Sequence, residues 1–481
     1  MTAATAAAPR RRRRTRWTLL LGFPLLALAV PVGFWQYSRF EADRELAEVL
    51  AETDQLDPRW RFDDVLADRP PIADADNPAL VLGKVDALLL RGFNPGERDE
   101  RLFEKANLSA VHRLNAPQIV ALCLALQKHA GALKLARTLK EFRGEGRFAI
   151  DYARAPFSPD VPWQGCHGVM SLLHYDAILR AEEEDAAGAL ESCRALLAAA
   201  RAIGDEPDFI AMLIRVNGQR LTVDALERVL AQSERLPDAQ LKAMQELLGR
   251  EIAAPILLHA MRGERAVWDR FLVKLQNGTR TLKELTASNE SSPLGDWLET
   301  RQLVAGRPLY LRLMNQAVEA ARLPVDKQTA AIQEFSRAIA ELDGDRARRS
   351  VILLLIPGIE KLANTNRCQQ ANLRSALTAV ALERYRLEHG AWPETLADLV
   401  KAGLLDAVPL DPIDGQPLRY KRLDDGVVVY SVGLDGVDDG GRINRENRDD
   451  PGVDLGVRLW DADRRRQDPL PPPPDDDGGR P

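Results

Sequence analysis

The residues YSVGLDGVDDGG, from Tyr430 to Gly441, include the three aspartates Asp435, Asp438 and Asp439 and four glycines. Carboxylates at such close spacing repel one another unless they are solvated or share a cation. The residue types leave two interpretations open: a metal-binding loop, or an acidic loop exposed to water. The pattern is not an EF-hand, because Val437 stands where that motif requires an oxygen ligand.

Motifs that would identify a catalytic site are absent from the sequence. It contains no G-x-S-x-G elbow, no H-E-x-x-H zinc motif, no G-x-x-x-x-G-K-[ST] loop and no dinucleotide fingerprint. Cys166 and His167 are adjacent in WQGCHG, with His174 further along, but neighbouring side chains point in different directions. We therefore predict no catalytic residues, and we interpret this segment as a loop that enters a helix.

The four cysteines, Cys123, Cys166, Cys193 and Cys368, lie far apart and form no CxxC pair. This spacing is not a zinc or thioredoxin pattern. A location outside the cytoplasm would permit disulfides, whereas buried thiols suit the apolar, helical surroundings equally well. The spacing alone determines no pairing.

The C-terminal region contains the elements that would position the acidic residues. LRSALTAVALERYRLEHG predicts an amphipathic helix that ends at Gly390. PLRYKRL and VVVYSV flank Asp425 and Gly426 and predict a β-hairpin, and VRLW, Val457–Trp460, predicts a last short strand. The charged, proline-rich residues 463–481 are expected to form a disordered tail.

These C-terminal motifs resemble, in their order and spacing, the periplasmic domain of the G-type (major) pseudopilin of bacterial type II secretion. The resemblance implies a small α+β pseudopilin-like domain over residues 364–462. The segments that carry it are ALERYRLEHGAWPETLADLV (Ala381–Val400), DPIDGQPLRY (Asp411–Tyr420), YSVGLDG (Tyr430–Gly436) and an aspartate-rich loop closing near DLG and Trp460.

The resemblance also implies that the loop after the last hairpin strand binds calcium. It assigns ligand positions to the carboxylates of Asp435, of Asp438 or Asp439, and of Asp454, and to the backbone carbonyls of Leu434 and Val437. Calcium takes six to eight oxygens in flexible geometry, and glycines let the backbone turn its carbonyls inward.

Two features depart from the pseudopilin pattern. The insertion Arg442–Gly452 places three arginines next to the implied calcium site. Near the N-terminus, Ala27 stands where the pilin assembly signal has a glutamate after Gly22 and Phe23. The resemblance therefore extends to a domain fold, and we do not expect assembly into a pseudopilus.

A basic cluster of Arg10 to Arg14 and Arg16 precedes Trp17–Tyr37, which contains no charged residue. A membrane-spanning helix needs ~20 apolar residues, and flanking arginines stay in the cytoplasm. The sequence predicts a basic cytoplasmic segment at residues 1–16, a single-pass anchor in the cell membrane at 17–37, and the rest of the chain outside the cytoplasm. The alternative is a signal peptide cleaved after Ala29.

Residues 38–363 have the periodicity of consecutive helices, so we expect a mainly α-helical domain. The segment Ser171–Pro207 contains two amphipathic stretches separated by an acidic turn, as in α-solenoid repeats. No strict 34-residue period is present, so an irregular helical domain is an equally good interpretation.

The charges are mixed along the chain and the net charge is −6, which argues against nucleic acid as a partner. A large helical surface without evident chemistry predicts a non-enzymatic scaffold for protein partners that the sequence does not identify. The pseudopilin resemblance links this scaffold to type II secretion or the cell envelope. The alternative is an exported enzyme whose site lies in the helical domain, which an inward-facing cluster of Glu, His or Arg in a deep groove would favour.

Overall fold

The computed structural model describes residues 40–89, 92–96, 100–104, 108–150, 152, 165–284, 293–341, 358–445 and 450–471. The predicted segments 1–16 and 17–37 lie outside this part of the chain. No single helix within it is long and apolar enough to cross a bilayer. Two adjacent helices, Ala116–Lys128 and Ala130–Glu141, reach the length and apolar composition of a membrane span only when they are taken as a pair. The chain bends by 81° between them.

Helices dominate the described chain, as predicted, and a small sheet lies near its C-terminus. The helices are α1 (40–56), α2 (Phe62–Ala67), α3 (Pro78–Leu89), α4 (Ala116–Lys128), α5 (Ala130–Ala136), α6 (Cys166–Glu182), α7 (Ala186–Arg201), α8 (Phe209–Gln232), α9 (Asp238–Ile252), α10 (Ile256–Gln276), α11 (Pro293–Ala305), α12 (Arg307–Arg322), α13 (Val325–Glu341), α14 (Ile359–His389) and α15 (Leu396–Lys401). The strands are β1 (Arg419–Leu423), β2 (Gly426–Ser431) and β3 (Leu455–Trp460).

Local signals explain where several helices begin and end. Asn115 and Gln118 exchange side-chain and backbone hydrogen bonds in a capping box at the start of α4. Asp208 accepts a hydrogen bond from the backbone N–H of Ile210 at the start of α8. Helix α14 ends at Gly390, whose φ of 75° is the left-handed conformation that glycine adopts at low cost.

Two hydrophobic cores share helices α8 and α14. The first core contains residues from α3 to α9 together with α14, α15 and the sheet, and the second contains residues from α1 and from α10 to α13. Along α8, Phe209 lies in the second core and Val229 in the first. Along α14, Ile359 lies in the second core and Leu373 in the first. These two helices therefore connect the halves of the molecule.

The sheet is antiparallel, with the strand order β1-β2-β3. Leu423 pairs with Gly426 next to the turn, which confirms the predicted hairpin, and β3 confirms the predicted last strand. All residues of the central strand β2 are buried. Helix α14 packs against β2 and β3, and α8 packs against β3. The predicted boundary between residues 363 and 364 falls inside α14.

The predicted helical pair within Ser171–Pro207 is present as α6 and α7. The acidic turn between them contains Glu184 at a φ of 64°. Asp185 accepts a hydrogen bond from the backbone N–H of Gly188 at 2.9 Å and thereby caps α7.

The prediction that the tail is disordered from residue 463 is wrong for residues 463–467. The side chain of Arg465 is buried and pairs with Glu383 of α14. The backbone of Gln467 donates a hydrogen bond to the carbonyl of Val111 at 2.9 Å and accepts one from the N–H of Arg113 at 2.9 Å. Composition suggested disorder, but these polar groups find partners on the helical part of the molecule. Residues 472–481 lie outside the described chain.

Candidate functional site

The acidic loop, residues 432–454, connects β2 to β3 and contains every residue in the predicted metal site. Its path depends on glycines at positions where a side chain would collide. A Cβ atom on Gly433 would lie 2.7 Å from the carbonyl oxygen of Val453, and one on Gly441 would lie 2.7 Å from Cγ1 of Val428. Both glycines also have positive φ angles, of 72° and 83°. At these two positions the described loop therefore lies close to Val453 and to β2.

Asp435 lies at the exposed edge of the loop and closes it through the backbone. Its Oδ1 accepts a hydrogen bond from the N–H of Val437 at 3.1 Å, and its Oδ2 accepts one from the N–H of Gly452 at 3.0 Å. These two bonds stabilise the charged carboxylate and lower its pKa. Asp435 therefore joins the two ends of the loop.

Asp454 is the buried carboxylate of the loop, with a relative exposure of 1 %. Its Oδ2 accepts a hydrogen bond from the N–H of Gly441 at 2.7 Å, and its Oδ1 accepts a longer one from the N–H of Asp439 at 3.4 Å. Burial raises the pKa of Asp454, and the nearby charges of Asp438 and Asp439 raise it further. The fold therefore brings these three aspartates together.

The carboxylates of Asp438 and Asp439 have different surroundings. Oδ1 of Asp438 accepts hydrogen bonds from the hydroxyl of Tyr430 at 3.0 Å and from the N–H of Gly440 at 2.9 Å. Oδ2 of Asp439 is buried and has no hydrogen-bond partner among the residues that the structure describes. A buried carboxylate oxygen without a donor is energetically unfavourable, and among the described carboxylates of the loop this is the atom whose burial a bound cation would offset.

Leu434 and Val437 are exposed residues of the loop, with relative exposures of 38 % and 55 %. Each can contribute only a backbone carbonyl to a metal ion. Nowhere in the described chain do three or more His, Cys, Asp or Glu side chains form a group suited to holding a metal ion. A calcium ion at this loop would therefore need backbone carbonyl oxygens beside the carboxylates, which calcium accepts.

The inserted arginines do not all lie at the acidic residues. Arg445 turns towards α8, where its Nε and Nη2 donate to Oε2 of Glu227 at 2.9 and 2.5 Å. Arg442 is exposed, and Arg448 lies outside the described residues. The charge of Arg445, which the sequence placed beside the candidate site, is thus balanced by a carboxylate more than 200 positions away in the chain.

Two residues of the acidic site were not identified from the sequence. The hydroxyl of Tyr430 donates to Asp438, and the backbone of Gly452 donates to Asp435. The Asp450-Pro451-Gly452 sequence is a recognisable turn signal that indicates where the loop reverses. No local pattern indicates the contact of Tyr430, because it depends on how the loop folds back over β2.

Cys166 and His167 lie in different environments. The thiol of Cys166 is buried, and burial raises its pKa above the ordinary value. Because the thiolate is the reactive form, this thiol is a poor nucleophile. His167 is exposed, and its Nδ1 lies 3.0 Å from the amide nitrogen of Asn217 on α8. None of the four cysteines forms a disulfide. This segment enters α6, as the sequence predicted.

Comparisons of the chain with protein-family models, curated proteins and solved structures gave no match. The pseudopilin resemblance therefore stays a prediction that rests on the C-terminal motifs.

Proposed function

We propose that this chain is a membrane-anchored, extracytoplasmic scaffold whose acidic loop is stabilised by calcium. The observation that carries the calcium proposal is the buried, unpartnered Oδ2 of Asp439 next to Asp438 and Asp454. A divalent cation there would supply the missing partner and reduce the repulsion among the three carboxylates. Asp435 would hold the loop closed around the ion rather than act as its main ligand.

The proposed location rests on the N-terminal sequence. The arginines before Trp17 and the uncharged stretch to Tyr37 support a single-pass anchor with a cytoplasmic N-terminus. The acidic loop would then lie outside the cytoplasm, where millimolar calcium suffices for sites with dissociation constants of ~10⁻⁴ to 10⁻³ M.

Consecutive helices such as α6, α7 and α8 pack against one another and support the proposed scaffold role. We propose that they act as a solenoid-like surface for protein partners, in the envelope or in type II secretion, to which the C-terminal motifs link the chain. The alternative, an exported enzyme, is favoured by one observation. His174, Arg228 and Glu227 face a common cavity between α6, α8 and β3.

The calcium proposal is tested by melting the full-length chain in calcium and in chelator. Calcium at about 100 times its dissociation constant adds ~2.7 kcal/mol to the free energy of unfolding. We expect the wild-type chain to melt at a higher temperature in calcium, and Asp439→Ala to remove most of the difference. The matched control Asp406→Ala, at an exposed position outside the loop, should keep it. Identical melting of the wild-type chain in both conditions would refute calcium binding.

A further inference from the structure

A cavity of about 550 Å³ lies between α6, α8, Phe103, residues 108–110 and the C-terminal sheet. Its volume is within the ~300–1,000 Å³ range of small-molecule sites. Its lining includes the apolar side chains of Phe103, Ile178, Leu221 and Trp460. The lining also includes charged groups of α8, of the acidic loop and of β3. The cavity therefore suits a molecule with an apolar body and a polar end.

Arginines outnumber carboxylates among the described residues that line this cavity. They are Arg220, Arg228, Arg445 and Arg458, against Asp224 and Glu227. Arg458 has its own partner outside the cavity, because its Nη2 donates to both carboxylate oxygens of Asp425 at 2.6 and 2.7 Å. Three arginines then face two carboxylates, which leaves an excess of one positive charge.

The two carboxylates are already engaged by Arg220, Arg445 and the sheet. Glu227 accepts hydrogen bonds from Arg445 and, at 2.8 Å, from the backbone N–H of Arg458. Asp224 lies 3.8 Å from Arg220 and 3.7 Å from Arg445. The excess positive charge is therefore assigned to Arg228.

Arg228 is buried, with a relative exposure of 3 %, and no carboxylate in the described chain hydrogen-bonds to it. Its Nη1 and Nη2 donate to the carbonyls of Ser109 and His112 at 2.7 and 2.9 Å. Its Nε has no hydrogen-bond partner in that part of the chain. The carboxylate of Glu182 lies 4.0 Å from Nη2, and its oxygens accept hydrogen bonds from Arg113 and from the N–H of Leu114.

The surroundings of Arg228 are unfavourable for a cation without a direct counterion. Burial lowers the pKa of its guanidinium to about 10. A buried charge without a direct partner is costly, and a bound anion would offset that cost.

His174 supplies a second polar group on the cavity wall. Its Nδ1 lies 3.1 Å from the carbonyl oxygen of Leu221, so in the neutral ring Nδ1 carries the proton and Nε2 is the acceptor. Burial lowers the pKa of His174, which favours this neutral form. The ring also makes a T-shaped contact with the ring of Tyr175.

We propose that this cavity binds a small organic monocarboxylate with an apolar body, and that Arg228 is the residue that recognises its charge. A guanidinium pairs well with a carboxylate, and one carboxylate balances the single excess positive charge. A phosphate monoester carries up to two negative charges and matches this balance less well. Binding requires no calcium ion, so it is independent of the function proposed above.

The test compares a carboxylate with its neutral counterpart on the full-length chain. Phenylacetate, phenylacetamide and phenyl phosphate at millimolar concentration serve as probes, with binding followed by titration calorimetry and by the melting temperature. We expect phenylacetate to bind at least about tenfold more tightly than phenylacetamide, the usual effect of one charge-assisted hydrogen bond, and more tightly than phenyl phosphate. Equal binding of the acid and the amide, tighter binding of phenyl phosphate, or no binding of phenylacetate would refute the proposal.

Variants locate the site. Arg228→Met should weaken phenylacetate binding about tenfold or more and leave phenylacetamide binding unchanged. Ser171→Phe, which fills part of the cavity from α6, should abolish binding of both probes. The control Arg384→Met removes an arginine that pairs with Asp238 outside the cavity and should bind like the wild type. If Arg228→Met does not fold, Ser171→Phe becomes the test of the proposal. Unchanged phenylacetate binding by Ser171→Phe would overturn it.

Discussion

Arg465 pairs with Glu383 in the interior of the protein, with Nη2 2.8 Å from Oε2 and Nη1 3.0 Å from Oε1. Both side chains have zero exposure. Nε of Arg465 also donates to the carbonyl of Trp460, and Nη1 donates to the carbonyl of Ser233 at 2.6 Å. One residue near the C-terminus thus connects α14, β3 and the residue that follows α8.

Loss of this arginine should destabilise the whole protein. Arg465→Met leaves Glu383 buried with only Arg386 as a charged partner among the described residues, and removal of one member of a buried pair costs about 3–5 kcal/mol. Urea unfolding followed by circular dichroism would measure the loss. Arg464→Met is the control, because Arg464 is exposed and its ion pair with Asp463 is a loose contact of 3.6 Å. Equal midpoints for both variants would show that the buried pair does not hold the tail in place.

Glu251 should make the protein sensitive to acid. Its carboxylate accepts hydrogen bonds from Arg215 at 2.8 Å and from Arg201 at 2.6 Å. Burial alone would raise its pKa, but the attraction of Arg215 and then Arg201 prevails and lowers it from 4.5 to about 2. Because the folded pKa lies below the unfolded one, the stabilisation is complete above about pH 4.5 and is lost as the pH falls towards 2.

The difference in free energy of unfolding between the wild type and Glu251→Gln should therefore be largest at neutral pH. It should become smaller below pH 4.5. Unfolding midpoints across this pH range would show the convergence. Glu246→Gln, at an exposed position on the same helix, should follow the wild-type curve at every pH. If the stability difference between the two proteins stays constant down to pH 2, the titration of Glu251 is not its cause.

Glu264 should have the opposite effect at higher pH. Burial raises its pKa from 4.5 to about 8, helped by the charge of Asp208, and its Oε1 accepts a hydrogen bond from Nε1 of Trp268 at 2.7 Å. Since the folded pKa is the higher one, stability is greatest below pH 4.5 and declines as the pH rises towards 8. The slope from this one group cannot exceed ~1.4 kcal/mol per pH unit, because a single carboxyl exchanges at most one proton between the folded and unfolded states.

Glu264→Gln removes this titration, so stability should decline less between pH 4.5 and 8 than in the wild-type protein. The unfolding midpoint in urea at each pH measures the decline. Glu246→Gln again serves as the control and should retain the wild-type slope. If the unfolding midpoints of Glu264→Gln and the wild type change with pH in parallel, groups other than Glu264 cause the decline in stability.

Two helical glycines should respond to alanine in opposite directions. A Cβ atom on Gly263 of α10 would lie 2.3 Å from Cβ of Pro207, whereas one on Gly249 of α9 would have only Leu377 Cδ1 nearby, at 3.8 Å. Gly249→Ala should stabilise by up to ~1 kcal/mol through helix propensity. Gly263→Ala should destabilise by about 1–3 kcal/mol through overpacking. Thermal unfolding of the two variants would measure both changes in stability. Stabilisation by Gly263→Ala would contradict the close approach of α10 to Pro207.

The sequence by itself determined the local elements. The apolar periodicity of α6, α7 and α14 and the Asp425-Gly426 turn are interactions among residues close in the chain, so their pattern predicts helices and a hairpin. The clustering of aspartates and glycines likewise identified the acidic loop, because residues this close in the chain must lie in the same loop.

Only the tertiary structure decided what each polar residue contacts. Arg445 pairs with Glu227, Arg465 with Glu383, and Arg228 remains without a direct carboxylate partner among the described residues, although all three are arginines in mixed-charge surroundings. The structure also separates Asp435, bound by backbone N–H groups, from the buried Asp454. The outcome for each arginine depends on groups tens to hundreds of residues apart meeting away from water, where burial makes pairing decisive and where no local pattern records the partner.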